Sequence, residues 1–257
     1  MAALPADIVS RIARAEDHVR DFEARLTAFL ASGCYKVGIK NDYGRRKRIY
    51  YASHVAPFPE SLAVIAADAM SNLRAALDYV AYMAVVRGIG GDPSWVYFPI
   101  ASSAQGYETA CSRLKKSVGK EVADTFDAAE PYLGGKGGAL WRMQELHRRD
   151  KHRGLLGAYI ANGGVVISDH LRTMAGPGFA DLIPDFFLRG PEGPIKEGTH
   201  LYIEPLDLEI QTDQRFTFTV SFVEPWLTGP REPALTTLHD FIDCVRKTVD
   251  GFRPFLG

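Results

Sequence analysis

Residues 60–87 read ESLAVIAADAMSNLRAALDYVAYMAVVR, and this stretch decides the fold. Leu62, Ile65, Ala66, Ala69, Leu73, Ala76, Leu77, Val80 and Ala84 recur at spacings of three and four, the period of one helix face. Val64, Met70, Val85 and Val86 carry the apolar character onto both flanks. A helix that is apolar around most of its circumference must be surrounded by protein. Its many alanines let partner helices approach closely. The spacing therefore predicts a central helix. Its few polar residues are informative for the same reason. Asp68, Asn72 and Tyr79 lie on one flank, while Arg74 and Asp78 lie on the other, at i and i+4, where guanidinium and carboxylate can pair.

Working outward, Ile8, Ile12, Ala15, Val19, Phe22, Leu26 and Phe29 predict an amphipathic helix over 6–31, ended by Ser32-Gly33. Tyr35, Val37 and Ile39 alternate, Asn41-Asp42-Tyr43-Gly44 supplies a turn, and Ile49-Tyr50-Tyr51 returns, so a β-hairpin follows. Its return arm begins Arg45-Arg46-Lys47-Arg48, four cations that could grip phosphates beside the rings of Tyr43, Tyr50 and Tyr51. An isolated run of four cations more often marks a solvated loop tip. Beyond the central helix, a Gly/Pro loop holds Trp95, Tyr97 and Phe98, and residues 106–127 suggest a third helix. The run Gly134-Gly135-Lys136-Gly137-Gly138 lacks the spacing and the Ser or Thr of a phosphate-binding loop and reads as a flexible hinge. Residues 139–161 suggest a fourth helix. After Asn162-Gly163-Gly164 the texture turns to strands at 165–168, 186–188, 201–203 and 215–223. In the last, Phe216, Phe218, Val220 and Phe222 face one way. Leu235, Leu238, Phe241, Ile242, Val245 and Val249 predict a closing helix over 233–252. The expected class is α+β: a helical core of about four helices with an N-terminal hairpin, then an antiparallel sheet and a C-terminal helix. The expected division places the core and hairpin at 1–162 and the sheet with its closing helix at 163–257.

A chain of 257 residues, 46% hydrophobic and 24% charged, can bury a full core. The net charge of −1 hides an asymmetry: residues 1–162 carry 22 Lys/Arg against 17 Asp/Glu, and residues 163–257 carry 8 against 14. A basic half joined to an acidic half suits an anionic partner, or head-to-tail pairing of two copies as a homodimer. Ordinary scatter of surface charge also gives such a split. Cys34, Cys111 and Cys244 have neither metal spacing nor a disulfide framework, which fits a reducing cytoplasm. Charges from Asp7 onward interrupt any signal-peptide core, and the apolar run near Val80–Val86 is too short for a bilayer, so no membrane partner is expected.

The densest chemistry lies in Trp141-Arg142-Met143-Gln144-Glu145-Leu146-His147-Arg148-Arg149-Asp150-Lys151-His152-Arg153. On a helical period, His147 and Asp150 share the apolar face with Leu140, Met143 and Leu146, and with Ala158 and Ala161 further on. His152 points sideways. Three uses compete. Arg142 and His147 form an Arg-x4-His pair, in which His could serve as general base toward a ribose hydroxyl and Arg could steady phosphorane charge. Five residues is an awkward helical offset, and a satisfied core histidine beside an exposed arginine explains the pair better. His147, Asp150, His152, Asp68 and Asp78 could supply metal ligands. However, His147 and His152 point about 140° apart on a helix, so one ion would not take both, and no cofactor is expected. The third use is structural: a buried Asp150 would need a cation or donors from Asn72, Arg74 or Tyr79.

The segments FPESLAVIAADAMSNLRAALDYVAY (58–82), FPI (98–100) and LHRRDKHR (146–153) resemble a widespread bacterial family of uncharacterised proteins, with motifs close to D-x-L-H-N-L-R-x-A-L-D-H and D-K-H-R. The first motif contains an Arg-x4-His that looks like the signature of HEPN-type helical ribonucleases. The resemblance covers most of the chain to residue 160. Carried onto this sequence, the arginine is Arg74, but the histidine position holds Tyr79, whose ordinary pKa near 10 makes it a poor base at neutral pH. Asn72, Arg74, Asp78, Asp150, Lys151, His152 and Arg153 match the pattern.

The resemblance implies a HEPN-like protein that binds or cleaves RNA without a metal, in a toxin or defence role. His152, Asp150, Arg153, Arg74 and Asp78 would be the catalytic set, and Asn72, Tyr79, His147, Lys151 and Trp141 would hold the substrate. Two other readings stand beside it. One is a hydrolase acting on a small anionic molecule, using His152 or His147 with Asp150 or Glu145 in a helix–sheet pocket. The other is a non-enzymatic binding module anchored by Trp95, Trp141 and Trp226 as exposed aromatics.

Overall fold

A computed structural model describes residues 3–89, 92–153, 156–166, 187–188, 193–206, 215–223 and 232–256. It describes the side chains of these residues except 89, 151–153, 162–163, 166, 187–188 and 215. The described elements run α1 (Ala6–Ala31), β1 (Tyr35–Asp42), β2 (Lys47–Val55), α2 (Glu60–Ile89), α3 (Ala104–Lys115), α4 (Lys120–Ala129), α5 (Gly138–Arg153), β3 (Ala158–Val166), β4 (Phe187–Leu188), β5 (His200–Pro205), β6 (Arg215–Phe222) and α6 (Ala234–Phe252). The class is α+β, with the N-terminal hairpin and C-terminal helix that the sequence predicts. The chain forms two compact units. One comprises Met1–Ala24, Glu60–Leu156 and Leu235–Gly257, and the other Arg25–Pro59 and Gly157–Ala234. The division expected from the sequence is a single boundary at 162.

The first unit is helical and centred on α2. Ala66, Ala69, Met70, Leu73, Ala76, Leu77, Val80, Ala81 and Val85 are all fully buried, so α2 buries more than half of its circumference, while Val64 and Asp68 on the remaining side are exposed. A helix buried over so wide a face has little amphipathic asymmetry, and its apolar residues Met70 and Val85 extend the buried face onto a flank. The expected third helix is two helices. α3 starts at Ser103, whose Oγ accepts the Gly106 N–H at 3.1 Å, a standard N-cap. The chain then breaks, and α4 starts after Gly119. At the break the Ser117 carbonyl comes so close to α2 that a Cβ on Gly88 would lie 2.4 Å from it. Only glycine tolerates that approach.

The glycine-rich run before α5 is a pinned turn rather than the hinge expected. Glu130 ends α4 in the left-handed region, at φ 44°. Its carbonyl accepts the N–H groups of Tyr132 (2.8 Å) and Gly137 (3.1 Å), and its carboxylate holds Lys136 through the backbone N–H and Nζ. A Cβ on Gly137 would lie 2.3 Å from the Ala129 carbonyl oxygen. The obstacle is backbone, so it cannot swing aside. Gly137→Ala is expected to destabilise the helical unit by about 1–3 kcal/mol, seen as a lower urea midpoint at unchanged slope.

The second unit holds two three-stranded antiparallel sheets, ordered β1-β2-β5 and β4-β3-β6. This corrects the expectation of one C-terminal sheet. β5 pairs with β2 of the hairpin, Ile203 opposite Ile49 and Tyr202 opposite Tyr50. The hairpin turn occupies residues 43–46, two residues later than expected, with Arg46 at φ 53° and Asp42 Oδ1 accepting the Arg45 N–H at 3.0 Å. Tyr35 packs on Phe218 at 3.6 Å between centroids and Tyr50 on Phe216 at 5.7 Å, so aromatic rings of the two sheets share a core.

The expected fourth helix also stops early. α5 ends at Arg153, and Ala158 and Ala161 lie in β3, opposite Phe222 and Thr219 of β6. Gly154 and Gly157 are poor helix residues. Gly157 is needed by the sheet, since its carbonyl accepts the Val223 N–H at 2.9 Å and a Cβ there would meet Val223 Cγ2 at 2.8 Å. Non-local pairing wins over a continuing helical period.

Candidate functional site

The polar residues of α2 lead to the site. Arg74 and Asp78 pair as the i, i+4 spacing predicts, with Arg74 Nη2 2.7 Å from Asp78 Oδ1 and Nε 3.2 Å from Oδ2. The pair also grips the loop between α2 and α3. Arg74 Nη2 donates to the Phe98 carbonyl at 2.9 Å, and the Phe98 N–H donates to Asp78 Oδ1 at 2.8 Å. Both backbone groups of Phe98 are thus satisfied by one ion pair, much as a neighbouring strand would satisfy them. The Phe98 ring can then turn inward, 5.5 Å from Phe126 and 6.1 Å from Phe252. Arg74 Nη1 donates to Gln144 Oε1 of α5 at 2.5 Å. One turn earlier on α2, Ser71 Oγ lies 3.0 Å from the Nε2 of buried His147. These two cross-links tie α2 to α5. They take the place of the expected Arg74–Asp150 lock: Asp150 is half-buried, and Arg74 bonds to Asp78, Gln144 and Phe98.

The other expected site residues spread apart. Asn72 donates to the Asp68 carbonyl of its own helix at 2.9 Å. Tyr79 bonds to Asp7 of α1, and that hydrogen bond, ahead of burial, raises its pKa above the ordinary phenol value. Trp141 is buried, which corrects the expectation of an exposed aromatic anchor there. Glu145 accepts from Arg148 at 2.6 Å. Lys151, His152 and Arg153 close α5, and their side chains lie outside the described residues, as does Trp226. Among the described residues, no group of three His, Cys, Asp or Glu side chains comes close enough to hold a metal ion. No described helix is long and apolar enough to cross a membrane.

What Arg74 does border is a pocket of about 330 Å³ between α2, the 95–100 loop, α3 and α5. Its rim carries Tyr97, 65% exposed, and its wall carries Trp95, with the Arg113 guanidinium of α3 only 3.9 Å from the indole centroid. Leu114 and Ile100 supply apolar wall, and Gln144 supplies an amide. Arg74 and Asp78 neutralise each other, so Arg113 leaves the pocket a net positive charge. A guanidinium over an aromatic ring does not spend its N–H donors on that contact, and phosphate or carboxylate suits them. The sequence offered Trp95 and Tyr97 as a cluster of aromatics in a Gly/Pro loop. Nothing local marked Arg113, because its partner lies on another element.

Comparison with protein-family models, with characterised proteins and with solved structures finds no match to this chain.

Proposed function

We propose that the protein binds single-stranded RNA, seating one unpaired nucleotide in the Tyr97–Trp95–Arg113 pocket, without cleaving it through Arg74 and Tyr79. The observation that carries this reading is the exposed Tyr97 ring beside a cation 3.9 Å from the Trp95 ring centroid, around a cavity of about 330 Å³. That volume sits at the small end of ligand sites and suits a single nucleotide. Stacking of a base on an exposed aromatic ring contributes about 1–3 kcal/mol, and Arg113 supplies a fork of donors for the neighbouring phosphate. The basic N-terminal stretch favours the same class of partner.

Cleavage by the HEPN-like motif is disfavoured on chemical grounds. Four of the five N–H donors that a guanidinium carries are already bonded in Arg74, to Asp78, Gln144 and Phe98. The phenol at the histidine position bonds to Asp7 and is a weaker acid than an ordinary tyrosine, so at neutral pH it has no base to offer. His147, the nearer substitute, is buried against Ser71.

The test is anisotropy titration of a labelled single-stranded oligoribonucleotide. Wild-type protein is expected to bind at low salt and to weaken steeply as salt rises. Tyr97→Ala and Arg113→Ala are each expected to lose about 5- to 100-fold in affinity, and the RNA is expected to stay full length on prolonged incubation. Absence of binding at low salt, or binding indifferent to both substitutions, would sink the proposal. RNA cleavage that disappears in His152→Ala would restore the nuclease reading instead.

A further inference from the structure

We infer that the outer face of the β1-β2-β5 sheet is a second single-strand RNA platform, centred on Tyr51 lying across Gly38. The ligand class is that of the preceding section, but the residues are different and belong to the other compact unit.

Cross-strand partners share a sheet face. Gly38 stands opposite Tyr51, Lys40 opposite Ile49, Ile49 opposite Ile203, and Asp42 opposite Lys47. One face therefore presents Tyr51, Lys40, Ile203, Lys47 and Asp42, with Ile49 buried among them. Ile203 is 45% exposed, and Lys40 and Lys47 are exposed with it, so this face meets solvent. The Tyr51 ring lies down over Gly38: a Cβ at Gly38 would be 2.7 Å from Tyr51 Cζ and 2.9 Å from its hydroxyl. Gly38 has ordinary negative φ, so no turn or bend explains the glycine. What it supplies is room for a flat aromatic ring on the sheet. The Lys40 ammonium sits 5.2 Å from the ring centroid.

Charge selects the occupant. Residues 36–48 carry six cations and one carboxylate. Arg48 turns to the opposite face and pairs with Glu204. Lys36, Lys40, Arg45, Arg46 and Lys47 are exposed, and Tyr43 at the turn is 77% exposed. A flat ring flanked by flexible lysines, with a basic turn alongside, matches an alternating chain of bases and phosphates: the base stacks on Tyr51 and the ammonium of Lys40 moves to the phosphate. An anionic membrane would use the cations but has no need of a ring laid flat, so RNA is the occupant the geometry favours.

Gly38→Ala isolates the ring's position. The added methyl meets only the far end of the Tyr51 side chain, which can lift away, so the melting temperature is expected to stay near wild type while RNA affinity falls severalfold. Tyr51→Ala is expected to lose about tenfold and Tyr51→Phe almost nothing. Lys40→Gln with Lys47→Gln is expected to make the salt dependence shallower by about two in log–log slope. The probes are a single-stranded oligoribonucleotide and vesicles of mixed phosphatidylserine and phosphatidylcholine. The inference is overturned if Tyr51→Ala and the lysine pair bind RNA like wild type, or if those variants lose only vesicle binding. Loss of RNA affinity in Arg113→Ala with no loss in the sheet variants would leave the pocket proposal standing and remove this one; the converse would remove the pocket and leave the sheet.

Discussion

Asp78→Ala is expected to destabilise the helical unit by about 3 kcal/mol. The Asp78 side chain is 27% exposed and that of Arg74 15%, so the pair is mostly withdrawn from water but not sealed. Removing the carboxylate leaves two orphans. Arg74 loses its bidentate partner, and the Phe98 N–H loses the acceptor held at 2.8 Å. An uncompensated buried charge costs about 3–5 kcal/mol, and an unsatisfied buried donor about 1–3. Partial exposure and the surviving bond from Arg74 to the Phe98 carbonyl pull the sum down to the stated figure. Asp78→Asn keeps one acceptor and is expected to cost about half as much.

Because the pair holds Phe98, and Phe98 lines the pocket with Tyr97 beside it, Asp78→Ala is also expected to weaken RNA binding more than its own chemistry would explain. A double-mutant cycle with Arg74→Met measures the coupling. A strongly negative interaction energy, with the double variant less damaged than the sum of the singles, is the expected sign. A urea midpoint for Asp78→Ala equal to wild type would show that the loop is held by something else.

Glu204→Leu is expected to be comparably severe, by about 3 kcal/mol, in the sheet unit. The Glu204 side chain has no exposed surface. Its Oε1 accepts from the Tyr50 hydroxyl at 2.9 Å and from Arg48 Nη1 at 3.1 Å. Leucine fills similar volume but strands a buried phenol and a guanidinium that is only 26% exposed. The desolvation penalty of both is then offset only by the hydrogen bond between them. Glu204→Gln keeps an acceptor and is expected to cost about 1 kcal/mol. A chemical denaturation midpoint unchanged in Glu204→Leu would refute the account.

The same network sets an alkaline limit. Tyr50 is pushed up to about 12, first by burial, then by its hydrogen bond to Glu204 and the carboxylate's charge, with Arg48 pulling the other way. A group whose folded pKa exceeds its unfolded value stabilises the fold fully below the unfolded value, near 10. That contribution is lost as pH rises from about 10 to about 12. Wild-type stability is therefore expected to fall over that window by more than in Tyr50→Phe. The chain has 11 tyrosines, so the tyrosinate absorbance of Tyr50 is read as the difference between wild type and Tyr50→Phe. In Glu204→Gln the titration is expected to move toward, but not reach, the ordinary value, since burial remains.

The helices were legible because their signal is local. The three- and four-residue spacing in α1, α2 and α6 names a buried face without reference to the rest of the chain, and the Arg74–Asp78 pair follows from helix geometry alone. Where the local signal ends, contacts between distant segments decide the structure. Ala158 and Ala161 keep the helical rhythm, yet Gly157 and the demand of β6 for a partner place them in β3. Residues 106–127 also look continuous, but the approach of the Ser117 carbonyl to Gly88 divides them.

The site shows the same boundary. From the sequence, the dense charge of residues 141–153 drew attention, and part of it is architecture: His147 bonds to Ser71, and Gln144, which carried no charge to notice, meets Arg74. Arg113 and Glu204 were invisible. A lone charged residue on a helix or strand reads as solvent-facing, and only its cross-element partners, Trp95 for one and Arg48 with Tyr50 for the other, give it meaning. The sequence by itself determined the α+β class, the buried central helix and its internal ion pair, since each is set by contacts within four residues. Tertiary structure alone decided that β5 completes the hairpin sheet, that Phe98 is the ion pair's third member, and that a cation lies on Trp95. Those contacts join residues from about 20 to more than 150 positions apart, and at that range the energy of pairing depends on which surfaces meet, which no local pattern encodes.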